Sequence, residues 1–136
     1  MKKDGILITG AAKRVGLHLA KSFLDRGFAV IGTYRSVHPS LTELEEAGAD
    51  LYQCDFYDEN AIDTLVDSIS DRYSSLRAII HNASDWLPEH TNVPAPEVIQ
   101  RMMQVHVTAP YLLNLGLAPL LSACSGPLAD IIHVGD

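Results

Sequence analysis

Positive charge is the first shortage in this chain: 10 Lys and Arg stand against 17 Asp and Glu in 136 residues, a formal net charge of −7. A field of that sign repels nucleic acid and anionic membrane surfaces, so any phosphate the chain holds must be held by a few local groups. Cysteine is scarcer still. Cys54 and Cys124 are the only two; they lack metal-ligand spacing and are too few for a disulfide framework, which predicts reduced thiols in the core. The histidines His18, His38, His81, His90, His106 and His133 form no His-Glu-x-x-His pattern, so no metal is expected. No stretch approaches the roughly 20 apolar residues of a membrane span. The start, Met-Lys-Lys-Asp-Gly, lacks the apolar run of a secretion signal. The expectation is a cytoplasmic protein with no membrane partner.

What is present is ample apolar material, 47% of residues, enough for one core and hence a single domain over 1–136. Short aliphatic runs alternate with longer amphipathic ones, the pattern of an α/β fold. Gly5 to Thr9 reads as a first strand, and Gly16 to Arg26 as a helix stopped by Gly27. Phe28 to Tyr34 is the second strand, Leu41 to Ala47 a short acidic helix, and Asp50 to Cys54 the third strand. Glu59 to Tyr73 carries Ile62, Leu65, Val66 and Ile69 on one helical face, before a fourth strand at Leu76 to His81. A long helical segment follows Pro94 and Pro96, includes Val98 to Met103, and should bend or break near Pro110. Leu128 to Val134 is the fifth strand. The expected architecture is a Rossmann-like, doubly wound parallel sheet of order 3-2-1-4-5. Right-handed crossovers then bring the segments after Ile8, Ile31, Gln53, Ile80 and Val134 to one rim, where a ligand crevice belongs.

The first βα turn on that rim is Thr9-Gly10-Ala11-Ala12-Lys13-Arg14-Val15-Gly16. It lacks the three-glycine dinucleotide fingerprint, yet Gly10 suits a tight turn and Gly16 permits close helix packing beside amides that face a pyrophosphate. Strand two ends in Tyr34-Arg35-Ser36, where an NAD site would place an acid for the ribose hydroxyls. Arg35, helped by Lys13 or Arg14, suits a 2′-phosphate and therefore NADPH or NADP+, with Ser36 offering a hydroxyl and an amide. A solvated loop arginine is the plainer alternative. Strand three delivers Asp55 and Phe56, suited to an adenine amino group and ring face, or else an exposed turn carboxylate.

These elements resemble the short-chain dehydrogenase/reductase family. Its Thr-Gly-x-x-x-Gly-x-Gly turn is matched except for Arg14 in place of the middle glycine. His81-Asn82-Ala83-Ser84 is similar to the family's Asn-Asn-Ala-Gly element, and His106-Val107-Thr108-Ala109-Pro110 stands where its Asn-x-x-x-Pro helix element would. Within the family, Lys13-Arg14, Tyr34-Arg35-Ser36, Asn82-Ala83-Ser84, Trp86 and Asp136 resemble the pteridine reductase and dihydromonapterin reductase branch. In that branch an aspartate replaces the usual serine at the end of strand five, and Met102-Met103-Gln104-Val105-His106 shares its histidine.

The resemblance implies an NADPH-dependent oxidoreductase that reduces a dihydropterin. Its cofactor site would use Gly10, Lys13, Arg14, Val15, Gly16, Tyr34, Arg35, Ser36, Asp55, Phe56, Asn82, Ala83 and Ser84. A flat heterocycle needs a stacking wall and in-plane hydrogen-bonding groups. Trp86 would be the wall, or else a rim-packing side chain, with Arg14, Ser84 and Asp136 on the substrate. Asp136 would also serve a proton relay, unless it is a solvated end. His106 would either hold a relay water or fill space beside Tyr111. The family's Tyr-x-x-x-Lys pair follows strand five and does not occur in this sequence. The chain is therefore expected to be the N-terminal part of a longer enzyme, dimeric or tetrameric at full length. A carbonyl reductase of other specificity and a non-catalytic NADP-binding fragment are the alternatives.

Overall fold

A computed structural model describes residues 1–88 and 91–135. Its five strands are β1 (Gly5–Ile8), β2 (Val30–Tyr34), β3 (Asp50–Gln53), β4 (Leu76–His81) and β5 (Asp130–His133). All pair in parallel, in the order β3-β2-β1-β4-β5, as expected from the alternating pattern. The helices are α1 (Arg14–Asp25), α2 (Ser40–Glu46), α3 (Glu59–Arg72), α4 (Ala95–Met103) and α5 (Ala109–Ser122), with a π-helical turn at Gln104–Thr108 joining the last two.

The period-2 alternation of the strands divides the apolar residues between two faces. Leu7, Ile31 and Ile79 form one core with Ile62, Leu65 and Ile69 of α3 and Leu113 and Leu117 of α5. Ile6, Ile8, Val30 and Ile80 face the other way, onto Ala20 of α1 and Leu44 of α2. The central strands are thus covered on both sides, as parallel strands require.

Several element ends differ from expectation. Helix α1 begins at Arg14, two residues before Gly16. Strand β2 begins only at Val30 because Phe28 belongs to the end of α1. The Phe28 amide donates to Phe23 O and the Gly27 amide to Leu24 O, and the Phe28 ring meets Phe23 edge-on with centroids 5.6 Å apart; the amide that would start the strand closes the helix instead. The uninterrupted apolar count also understates residues 95–122, the one helix among the described residues long and apolar enough to cross a membrane. Its Val105, Ala109, Leu113, Leu117 and Leu120 lie in the core.

Fasteners cluster at the amino ends of the strands. Asp50 accepts the Tyr73 hydroxyl at 2.5 Å and pairs with Lys2 at 2.8 Å and Arg72 at 3.1 Å. Asp4 accepts the Ser125 amide at 3.0 Å and the Ser75 hydroxyl at 2.9 Å, and the Ser125 hydroxyl and amide pull its pKa down to about 2. The carboxyl ends are left free for a site.

One buried titratable group lies just beneath that end. His81 of β4 bonds Asn114 of α5 through Nε2 at 2.7 Å and stacks on His133 of β5, centroids 4.7 Å apart. Burial lowers its pKa below the ordinary 6.5, against the opposing Asn114 bond. The unfolded chain therefore takes up a proton near pH 6.5 that the folded chain resists. Stability is expected to be full above about pH 6.5 and to fall as the pH drops toward the lowered folded value. Melting curves from pH 7.5 to about 5.5 check this: His81→Gln should shallow the acid-side loss of Tm, and an unchanged slope would acquit His81.

Candidate active site

The loops after β1 to β4 and the segment after β5 enclose a cleft of about 580 Å³. The β1 loop contributes Gly10 and Ala12 to Val15, and the β2 loop Tyr34, Arg35, Ser36 and His38. The β3 loop adds Cys54 to Tyr57, the β4 loop Asn82 to Trp86, and the β5 end Val134 and Gly135. Most residues singled out from the sequence meet here. Gly16 does not line the cleft, and His106 lies off it: it is exposed, with Nδ1 bonded to Met102 O at 2.9 Å. His106 and Tyr111 are both exposed. Asp136 and His90 lie outside the described residues.

The geometry begins in the backbone. Gly10 takes φ +68 and Arg14 φ +53, so Arg14 keeps the left-handed backbone that a glycine adopts freely, at a cost of about 1–2 kcal/mol. A Cβ on Gly16 would lie 2.0 Å from Gly10 O and 2.6 Å from Asn82 Nδ2; this close approach sets α1 against the turn. The hydroxyl of Thr9 accepts the amides of Asn82 at 3.0 Å and Ala83 at 2.9 Å. Asn82 Nδ2 donates to Gly10 O at 3.2 Å, and the Gly10 amide to the Thr33 hydroxyl at 3.2 Å. Three strand ends are thereby locked together, and Ser40 anchors α2 to Ala12 O by a short hydrogen bond.

The amino end of α1 faces this turn without a side-chain cap and with no acidic residue in its first turn. Its first amides therefore carry partial positive charge with no carboxylate of their own helix to answer it. Lys13 and Arg14 are exposed beside them, and neither enters an ion pair among the described residues.

Arg35 is different. Its Nη1 lies 3.2 Å from Asp85 Oδ2, the same oxygen that accepts the Tyr57 hydroxyl at 2.6 Å. Burial disfavours the Asp85 charge, but the Tyr57 hydroxyl, the Trp86 amide and Arg35 outweigh it and hold its pKa below the usual carboxylate value. The Tyr57 hydroxyl is raised to about 12 by burial and by Asp85, so it remains a donor. Neither Asp85 nor Tyr57 stood out from the sequence. A carboxylate between Ser84 and Trp86, on a rim needing cations, was the one available signal.

Asp55 Oδ1 accepts the Tyr57 amide at 2.9 Å, and the residue lines the cleft. Trp86 is 77% exposed, so it is not a core residue. Cys54 is buried, which lifts its thiol pKa to about 11 and leaves it an inert wall. Cys124 is only half-buried, contrary to the expected core position, because its thiol turns to Leu128 O at 3.7 Å in the surface turn before β5.

The family model for short chain dehydrogenases matches residues 4–135. The chain belongs to that family. A dihydromonapterin reductase of Klebsiella pneumoniae is 49% identical over 96% of this chain and 55% of its own length. One from Escherichia coli O1:K1 is 41% identical over the same shares. The chain thus spans about half the length of the curated relatives it matches. The Pseudomonas aeruginosa RhlG/NADP active-site complex superposes with a TM-score of 0.84, covering 100% of this chain and 56% of that one at 22% identity, a likeness of fold.

Gly16→Ala should destabilise the protein by about 2 kcal/mol or more, because the methyl meets backbone on one side and an amide on the other. Thermal unfolding checks it; a Tm within a degree of the parent would show that the turn yields.

Proposed function

We propose that this chain is the nucleotide-binding part of an NADPH-dependent reductase acting on a dihydropterin, and that residues 1–136 form one such domain. The observation that carries the reading is the meeting, in the lining of a single cleft, of an uncapped helix end beneath a glycine turn with Lys13, Arg14, Arg35 and the exposed Trp86. The donor set fits a dinucleotide carrying a third phosphate. The α1 amides and Arg14 would take the pyrophosphate, and Arg35 with Ser36 the 2′-phosphate. Asp55 and Phe56 would receive the adenine, and Asn82 and Ala83 the backbone side of the ribose. The fit draws support from the names of the relatives, 49% and 41% identical across nearly the whole of this chain.

Bound, the cofactor supplies a hydride; the residues on this chain supply position. Trp86 offers a flat apolar face for a pterin ring, Ser84 and Arg14 offer in-plane hydrogen bonds, and holding both rings in register contributes much of the rate. Asp136 remains the proposed contact to the pterin and to its proton. Such an enzyme would work in the cytoplasm. Ile99, Met103, Val107, Tyr111 and Leu115 recur every fourth residue along α4 and α5 and are all exposed, an apolar stripe suited to a second copy in a dimer or tetramer.

Two substitutions in the full-length gene product test this. Arg35→Asp should weaken NADPH by at least about tenfold while changing NADH by less than threefold, since only the former carries the 2′-phosphate. Equal losses would remove the phosphate role. Trp86→Ala should raise the apparent KM for a dihydropterin about tenfold or more with NADPH binding near normal. Unchanged pterin kinetics would take Trp86 out of the site.

A further inference from the structure

Arg35, the residue best placed for a 2′-phosphate, already has an anionic partner. We propose that Asp85 sets how strongly the cleft prefers a 2′-phosphorylated dinucleotide, by competing with that phosphate for Arg35. The inference rests on the NADPH reading above and adds a specificity-determining residue to it.

The two partners are anchored differently. Asp85 is fixed at both oxygens: Oδ2 accepts the Tyr57 hydroxyl at 2.6 Å and Oδ1 the Trp86 amide at 2.9 Å. Its side chain is 25% exposed, against 54% for Arg35. Arg35 is held at its root, where Gln53 Nε2 donates to its carbonyl at 3.0 Å, while its guanidinium makes one contact with Asp85, from Nη1 at 3.2 Å. That contact is single rather than bidentate, so it is the weaker form of an Arg–carboxylate pair. A phosphate monoester offers three oxygens and up to two charges, enough to draw the guanidinium away. The carboxylate stays behind, held by Tyr57, and its charge then faces the phosphate. Both effects, the bond given up and the repulsion gained, act against a 2′-phosphorylated ligand and not against one with a free 2′-hydroxyl.

Asp85→Asn isolates the charge. The single amide oxygen can take the Oδ2 place and still accept from Tyr57 and Arg35, giving up only the Trp86 amide's bond to the other oxygen, so the guanidinium keeps its place while the competing charge disappears. In the full-length gene product, calorimetric dissociation constants for NADP+ and NAD+ should show NADP+ bound about two- to fivefold more tightly, the range of a half-exposed charge pair, with NAD+ changed less than twofold. Asp85→Ser should shift NADP+ the same way. In an Arg35→Ala background the Asp85→Asn gain should shrink below about twofold, because no guanidinium is left to contest. The proposal is overturned if Asp85→Asn leaves NADP+ unchanged or weaker, tightens both dinucleotides alike, or gives its full gain without Arg35. Loss of the underlying reading looks different: the parent protein would bind NADP+ no better than NAD+, or Arg35→Ala alone would leave NADP+ affinity intact.

Discussion

The carbonyl of Gly10 lies where a side chain at position 16 would begin, and the rest of the site depends on that contact. Because α1 starts hard against the turn, its first residues Arg14 and Val15 line the cleft and its uncapped end lies beside them. The same turn holds the loop after β4, through the Thr9 hydroxyl and Asn82. Arg14 on one loop and Ser84 and Trp86 on another are therefore placed relative to each other through the backbone, by the buried Thr9 and Thr33 hydroxyls and the Asn82 side-chain amide. Backbone placement of this kind costs little entropy to maintain, whereas long side chains anchored only by charge would have to be ordered at every binding event.

Electrostatics on the rim run against the charge of the whole chain. A net charge of −7 disfavours anions at long range, but screening in physiological salt confines that field to about 8 Å. Within that distance the groups that count are Lys13, Arg14, Arg35 and the helix end, offset by Asp55 and Asp85. Discrimination among phosphorylated ligands then falls to a handful of side chains, and a single neutralised carboxylate is a large fraction of the local balance. Asp85 earns that weight through Tyr57, whose hydroxyl keeps it charged despite partial burial.

The order of elements, the strand topology and the membership of most of the cleft were legible in the sequence, because each rests on local signals. Apolar runs of strand length, Gly27 after a helix and a glycine turn after β1 need no distant partner to be recognised. What escaped depends on contacts between remote positions. Arg35 meets Asp85 across 50 residues and Tyr57 meets it across 28, and neither pairing has a spacing that a motif could carry. Arg35 consequently looked like an unopposed cation. The Phe28 amide was misassigned to a strand because its alternative, closing the end of α1, is decided by three-dimensional fit.

The exposure of His106 has its own cause. Position 110 is proline, which has no N–H to offer the carbonyl of His106 four residues earlier, so the regular helix ladder fails there. The turn widens instead, and the Ala109 amide donates five residues back to Gln104 O. In an ideal α-helix, residues four apart drift about 40° round the axis at each step, since each residue turns about 100°. The buried positions 105, 109, 113 and 117 nevertheless keep to one face, and the exposed positions 99, 103, 107, 111 and 115 to another. A turn that rotates less per residue takes back part of that drift and lets both stripes run at four-residue intervals. Gln104 then reaches Phe56 O at 3.0 Å and Val105 reaches the cleft, while His106 is carried to the solvent side. Pro110 is buried and lines none of the cleft, yet it shapes the cleft's wall through the phase of the helix before it.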